Sequence, residues 1–211
     1  MTETNQQQDV KEAVQAAVKS GENVHQEVKD ITLKALTKGR LDIENIKNVT
    51  EAVSKGINEG MTSYGEHGKD VFIHAVTALD DALAIAVEAS TLAIEEAASK
   101  VTEYSEHDLS DAIKDLQDRE GVFLDTLEKV AKGSNQVFID IVSDFIAHSR
   151  QSGTAVGEQT LIALDALKDL PKISKDIIIS STRATTSTLA QIASGILEGI
   201  AESLQPSHSK K

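Results

Sequence analysis

Residues 69–104 read KDVFIHAVTALDDALAIAVEASTLAIEEAASKVTEY, and the spacing of this stretch decides the fold. Alanines fall at 75, 78, 82, 86, 89, 93 and 97, in steps of three and four. Such a pattern repeats every 11 residues, about 3.67 per turn, which suits a straight or slightly right-handed α-helix. A second stripe keeps the same period through Phe72, Val76, Leu79, Leu83, Val87, Ser90, Ile94, Ala98 and Val101. A helix over this stretch spans about 54 Å at about 1.5 Å per residue. The Ala stripe lets another helix approach toward the ~8 Å end of the interaxial range, and the larger stripe supplies groups to bury.

Moving toward the N-terminus, three shorter apolar faces follow one another. Val10, Ala13, Val14, Ala17 and Val18 stop at Ser20-Gly21, and Val24, Val28, Ile31, Ala35 and Leu36 stop at Lys38-Gly39. The third face begins at Asp42, a good N-cap, and carries Ile43, Ile46, Val49, Val53 and Ile57. Gly21, Gly39 and Gly56 each follow a similar word, as in Ala52-Val53-Ser54-Lys55-Gly56. This pattern reads either as a degenerate repeat of one helix plus a Gly C-cap or as ordinary helical spacing.

Toward the C-terminus, Ser105-Glu106-His107-Asp108 forms a capping box. The helix it opens buries Leu109, Ala112, Ile113, Leu116, Phe123, Leu127 and Val130. Lys132-Gly133-Ser134-Asn135 either breaks that helix or lets it run on through Phe138, Ile141, Val142 and Phe145. Ser152-Gly153-Thr154 is a firmer break, followed by a helix carrying Val156, Leu161, Leu164 and Leu167 up to Leu170-Pro171. A last helix over 172–204 has the seam Ile178, Thr182, Thr185, Leu189, Ile192, Ile196, Gly199 and Ser203. Its alternating steps of four and three make a coiled-coil heptad diluted with small residues. Gly195 and Gly199 have the spacing of a helix-dimer motif, read here as close packing in a bundle. Phe72, Phe123 and Phe138 sit in similar Val-Phe-Ile/Leu words and are expected to anchor the core.

Composition narrows the function. The 211 residues include no Cys, no Trp and two Pro, which excludes disulfide frameworks and thiolate metal sites. The net charge of −13 argues against nucleic acid. That charge has an address: residues 80–128 hold 14 acidic groups against three basic ones. Between Lys69 and Lys100 every charged residue is acidic, which opposes binding to an anionic membrane. No run is long and apolar enough for a transmembrane span, and the N-terminus lacks a basic and apolar leader pattern. The expected location is cytoplasmic.

Motifs for chemistry are sparse. Glu22 and His25 have the Glu-x-x-His spacing of di-iron bundles, but the chain has no second copy of that motif. Asp144 and His148 lie four apart and read as a surface pair. There is no Gly-x-Ser-x-Gly, no His-Glu-x-x-His and no Gly-rich phosphate loop.

Residues 106–131, with Asp108-Leu109, Ala112, Asp115-Leu116, Phe123-Leu124, Leu127 and Val130-Ala131, resemble a bacterial helical domain family with no assigned function. Ser149-Arg150 and Ser152-Gly153-Thr154-Ala155-Val156-Gly157 extend the resemblance, which covers the central and later thirds and carries no catalytic residues. In composition the chain is also similar to phasins, helical proteins that coat polyester granules: rich in Ala, Thr and Ser, without Cys or Trp.

The expected fold is therefore all-α, an elongated bundle of about five to seven helices with at least two long ones. Residues 1–66 form a short-helix region, 67–171 a central long-helix bundle, and 172–211 a long helix with a polar tail, together one cooperative unit. The expected function is a non-enzymatic interaction or scaffold protein that self-associates or binds another helical protein. Its seams are Ala75, Ala78, Ala82, Ala86, Ala89, Ala93 and Ala97, and Leu189, Ile192, Ile196 and Gly199. The alternatives are a phasin-like protein on an uncharged hydrophobic granule surface and a bundle metalloprotein built on Glu22 and His25. No catalytic residue and no cofactor is expected.

Overall fold

A computed structural model of the chain describes residues 3–64, 68–99, 106–168 and 187–204. They form eight helical segments: α1 (Glu3–Ser20), α2 (Val24–Thr37), α3 (Ile43–Met61), α4 (Lys69–Ser99), α5 (Glu106–Lys132), α6 (Gln136–Ser152), α7 (Ala155–Leu167) and α8 (Ser187–Leu204). The fold is all-α, as the periodicities require, and α4 and α5 are long, at 31 and 27 residues.

Helix ends follow local chemistry. The Asp42 carboxylate accepts from Asn45 N at 2.9 Å and opens α3. Asn135 accepts from Phe138 N at 3.0 Å and opens α6, so Lys132–Asn135 is a true break. Gly153, at φ 84°, stops α6 in a conformation that costs a Cβ-bearing residue, and Thr154 then caps α7 by accepting from Gly157 N at 3.0 Å. The Ser105 cap, the Leu170-Pro171 stop, and Ile178, Thr182 and Thr185 of the last seam lie outside the described residues.

The Gly C-cap repeat fails at its third copy. Gly56 is buried inside α3, which runs on to Met61. A Cβ on Gly56 would lie 2.5 Å from Lys11 O and 2.8 Å from Val14 Cβ, and one on Gly60 would lie 2.6 Å from Val18 Cβ. These glycines let the α3 backbone settle against α1. The tool that ends a helix at Gly21 here serves helix packing instead. Tyr64 reinforces the pair, its hydroxyl donating to Val18 O at 2.9 Å.

Helix α4 is the hub. It packs against α2, α3, α5, α7 and α8, and side chains from all eight helices join one continuous core. Its surroundings explain why both of its stripes are buried. The four Phe residues form a chain of edge-to-face contacts where α4, α5 and α6 meet. Ring centroids are 5.6 Å apart for Phe72–Phe138, 6.1 Å for Phe72–Phe145 and 6.3 Å for Phe123–Phe145. Each such pair contributes about 0.5–1.5 kcal/mol beyond area burial. Leu161 departs from its expected core position: it is 70 % exposed on the outer side of α7, next to Ile162 at 55 %. Val156, Ala163 and Leu167 bury the other side. Among the described residues no helix is long and apolar enough to cross a membrane.

Candidate functional site

The most unusual group in the core is Arg119, a fully charged side chain only 2 % exposed. It stands on α5 between Leu116 and Phe123, in line with the apolar seam. Its Nη1 donates to Ala86 O at 2.8 Å and its Nη2 to Ser90 Oγ at 2.7 Å, tying α5 to α4. Ser90 Oγ in turn donates to Ala86 O at 3.0 Å. Nε meets no acceptor among the described residues. Burial pulls the guanidinium down to about 10 from its ordinary 12.5, and the charge of Asp115 opposes that shift. Burial likewise pushes the Asp115 carboxyl above its ordinary value, against the charge of Arg119 and a hydrogen bond from the Ile43 backbone. This centre links α3, α4 and α5. Helix α8 covers it with Leu189, Ala190 and Ala193. Two contacts fix that cover: Leu41 N donates to Ala190 O at 3.0 Å, and Ser194 Oγ donates to Gly39 O at 2.7 Å.

A second buried centre sits at the start of α7. Asp80, on α4, accepts from Ala155 N at 2.7 Å and from Val156 N at 2.9 Å, one with each oxygen. These are two of the donors that a helix leaves open at its first turn. Thr154 Oγ1 donates to Glu120 Oε1 at 2.7 Å while capping α7. Burial raises the Asp80 carboxyl above its ordinary value. The two backbone donors oppose the shift, and the neighbouring charges of Asp81 and Glu120 add to it. Chemically, both centres act as braces: apart from Arg119 Nε, their hydrogen-bonding groups hold helices together.

The expected seams divide in two. Ala75, Ala78, Ala82, Ala86, Ala89, Ala93 and Ala97 are all buried within the chain. Helices α4 and α8 pack against each other in the same chain. Leu189 is buried beneath α8, and Ile192 and Ile196 are half-buried. Gly199 and its companion Gly195 are exposed, and a Cβ on either would meet nothing within 4 Å. Among the described residues their spacing therefore serves no close packing, whereas Gly56 and Gly60 carry the same spacing and do serve it.

The metal candidates separate as well. Glu22 lies before α2, where Asn23 takes a left-handed turn at φ 48°, so it shares no helix face with His25. His25 Nε2 instead pairs with Asp81 Oδ2 at 2.9 Å. Asp144 and His148 are both exposed, and Asp144 faces Lys69 at 3.7 Å. Among the described residues no group of three or more His, Asp or Glu is placed to hold a metal ion.

Arg119 had a signal in the sequence, since it occupies an apolar seam position of α5. Asp80 had none, because its partners lie 75 and 76 residues away.

Residues 1–206 match a family described as a family of unknown function (DUF6781), and the chain belongs to that family. The match takes in the N-terminal third as well, beyond the extent of the resemblance noted from residues 106–157. No curated protein and no solved structure matches the chain.

Proposed function

We propose that this member of the DUF6781 family is a non-enzymatic helical interaction protein that self-associates through the outer face of α8. The observation that carries the reading is the pair Gly195 and Gly199, exposed in mid-helix with open space where a Cβ would stand. Glycine in a helix interior costs about 1 kcal/mol relative to alanine. Packing among the described residues supplies no return for that cost at these two positions. A second helix laid along this face does, because small residues let backbones approach closely. Half-buried Ile192 and Ile196 border the glycines on one side, and Gln191, Glu198 and Glu202 on the other. The partner is a second copy of the chain. The non-enzymatic part of the reading is supported by the structural tasks of Asp80, Glu120, Thr154 and Arg119, whose polar atoms serve helix ends and helix contacts.

Light scattering across micromolar concentrations tests this. The expected result is a dimer that Gly195→Leu and Gly199→Leu each dissociate without loss of helical signal. A strict monomer for the wild-type chain would overturn it.

One observation favours a second reading, adsorption to an uncharged hydrophobic surface such as a polyester granule. Leu161 and Ile162 present adjacent apolar side chains on α7, 70 % and 55 % exposed. Co-sedimentation with polyester particles that survives moderate salt and is lost in Leu161→Glu with Ile162→Glu supports it. No co-sedimentation of the wild-type chain removes it.

A further inference from the structure

We propose that the polar centre under α8 is a binding site for a single water molecule, held between Arg119 Nε–H and the Asp115 carboxylate. Three observations converge on it. Arg119 is buried, and Nε is its one guanidinium nitrogen with no acceptor among the described residues, since Nη1 and Nη2 donate to Ala86 O and Ser90 Oγ. A cavity of about 20 Å³ adjoins it, lined by Arg119, Asp115 and Ser90 as its polar walls and by Leu41, Ile94 and Leu189 among its apolar ones. That volume takes one water, which needs about 10–15 Å³. The chemistry of the walls also selects the occupant. A buried N–H without an acceptor is costly, and a buried water with two to four polar partners is the usual remedy.

The cavity wall offers a partner for each of the water's hydrogen bonds. The water oxygen accepts from Nε–H. One of its protons goes to Asp115, whose carboxylate already accepts from the Ile43 backbone. Its second proton faces Ser90 Oγ, which donates to Ala86 O and accepts from Arg119 and so keeps one lone pair. A small anion fits less well, because the Asp115 carboxylate shares the cavity with the guanidinium. The water relays the Arg119 charge to Asp115 and so joins α5 to the start of α3. Its way out lies under α8, so its exchange with solvent reports how often α8 lifts.

Nuclear magnetic resonance of the full chain tests the site. The Arg119 Hε resonance is expected to show a cross-peak to a long-lived water, with the sign of a bound rather than a bulk molecule. Ala193→Val, which fills the cavity from the α8 side, is expected to abolish that cross-peak while leaving Hε in place. An Hε resonance in the folded wild-type chain with no bound-water cross-peak overturns the proposal, as does a cross-peak that survives the filling substitution. Should that variant fail to fold, a high-resolution crystal structure of the wild-type chain decides. Electron density within hydrogen-bond distance of both Nε and Asp115 supports the site, and none there refutes it.

Discussion

Gly56→Ala and Gly199→Ala add the same methyl group to two helices, and the structure assigns them opposite signs. Both relieve helical propensity by about 0.8–1.0 kcal/mol, since Gly is that much less favourable than Ala in a helix interior. At Gly199 nothing opposes the gain, because beyond its own helix backbone no atom of the described residues lies within 4 Å of the new Cβ. At Gly56 the Cβ would stand 2.5 Å from Lys11 O and 2.8 Å from Val14 Cβ. The first of these is backbone and cannot rotate away, so α1 has to move as a body. Overpacking of this kind costs about 1–3 kcal/mol, with a backbone clash toward the upper end. The net expectation is a loss of about 1–2 kcal/mol for Gly56→Ala and a gain of about 0.5–1 kcal/mol for Gly199→Ala. For a chain of this size each kcal/mol moves the midpoint by about 2–4 °C. Thermal unfolding followed by circular dichroism, at one protein concentration low enough to hold the monomer, resolves that separation. A Gly56→Ala chain as stable as the wild type, or more so, would refute the close α1–α3 approach. Equal gains at both sites would show that helical propensity alone sets the outcome.

Three further outcomes are expected. Arg119→Ala leaves a large hole and removes the link to α4, and should lower unfolding free energy by about 3–5 kcal/mol; Arg119→Met, which keeps the stem, should cost far less. Comparing their denaturation midpoints checks this, and equal losses would mean that the charge itself is the stabilising feature. Asp80→Ala strands the Ala155 and Val156 N–H groups and should cost about 1–3 kcal/mol for each donor left without a partner, with α7 amides losing hydrogen-exchange protection first. The Asp80 carboxyl also has a pH signature. Its folded value is raised above the ordinary 3.8, so the folded state binds the proton more readily than the unfolded state. Its contribution to stability is therefore larger below that window and falls as pH rises from 3.8 through the folded value. Asp80→Asn removes this slope. Its deficit against the wild type should shrink as pH rises across that window, and a deficit independent of pH would contradict the burial of the charge.

Much of the architecture was legible because helix ends are written locally. Asp42, Gly153 and Thr154 set their boundaries with groups a few residues away, and the 11-residue spacing of α4 already required a helix with two buried stripes. Gly56 reads two ways in the sequence, because Val53-Ser54-Lys55-Gly56 resembles the words Val18-Lys19-Ser20-Gly21 and Leu36-Thr37-Lys38-Gly39 at the ends of α1 and α2. Only the position of α1 reveals that its missing side chain is a seat for another backbone. Gly195 and Gly199 invert that lesson: the same spacing that packs α3 on α1 faces outward on α8. Leu161 shows the limit of periodicity, because a short apolar helix such as α7 offers more apolar faces than its neighbours cover. The two buried centres were legible to different degrees. Arg119 breaks an apolar seam and can be seen in one helix. Asp80 finds its partners across most of a bundle, so no window of sequence contains the reason for it.

The hydrogen bonds that seat α8 join residues 155 and 157 positions apart, from Ser194 back to Gly39 and Thr37. This places the order of synthesis into the fold. Of the described helices α8 leaves the ribosome last, and until it does, Leu41, Ser90, Ile94 and Arg119 lack the cover that α8 gives them. A chain that ends before residue 187 lacks the α8 side chains Leu189, Ala190 and Ala193 that wall the cavity beside Arg119.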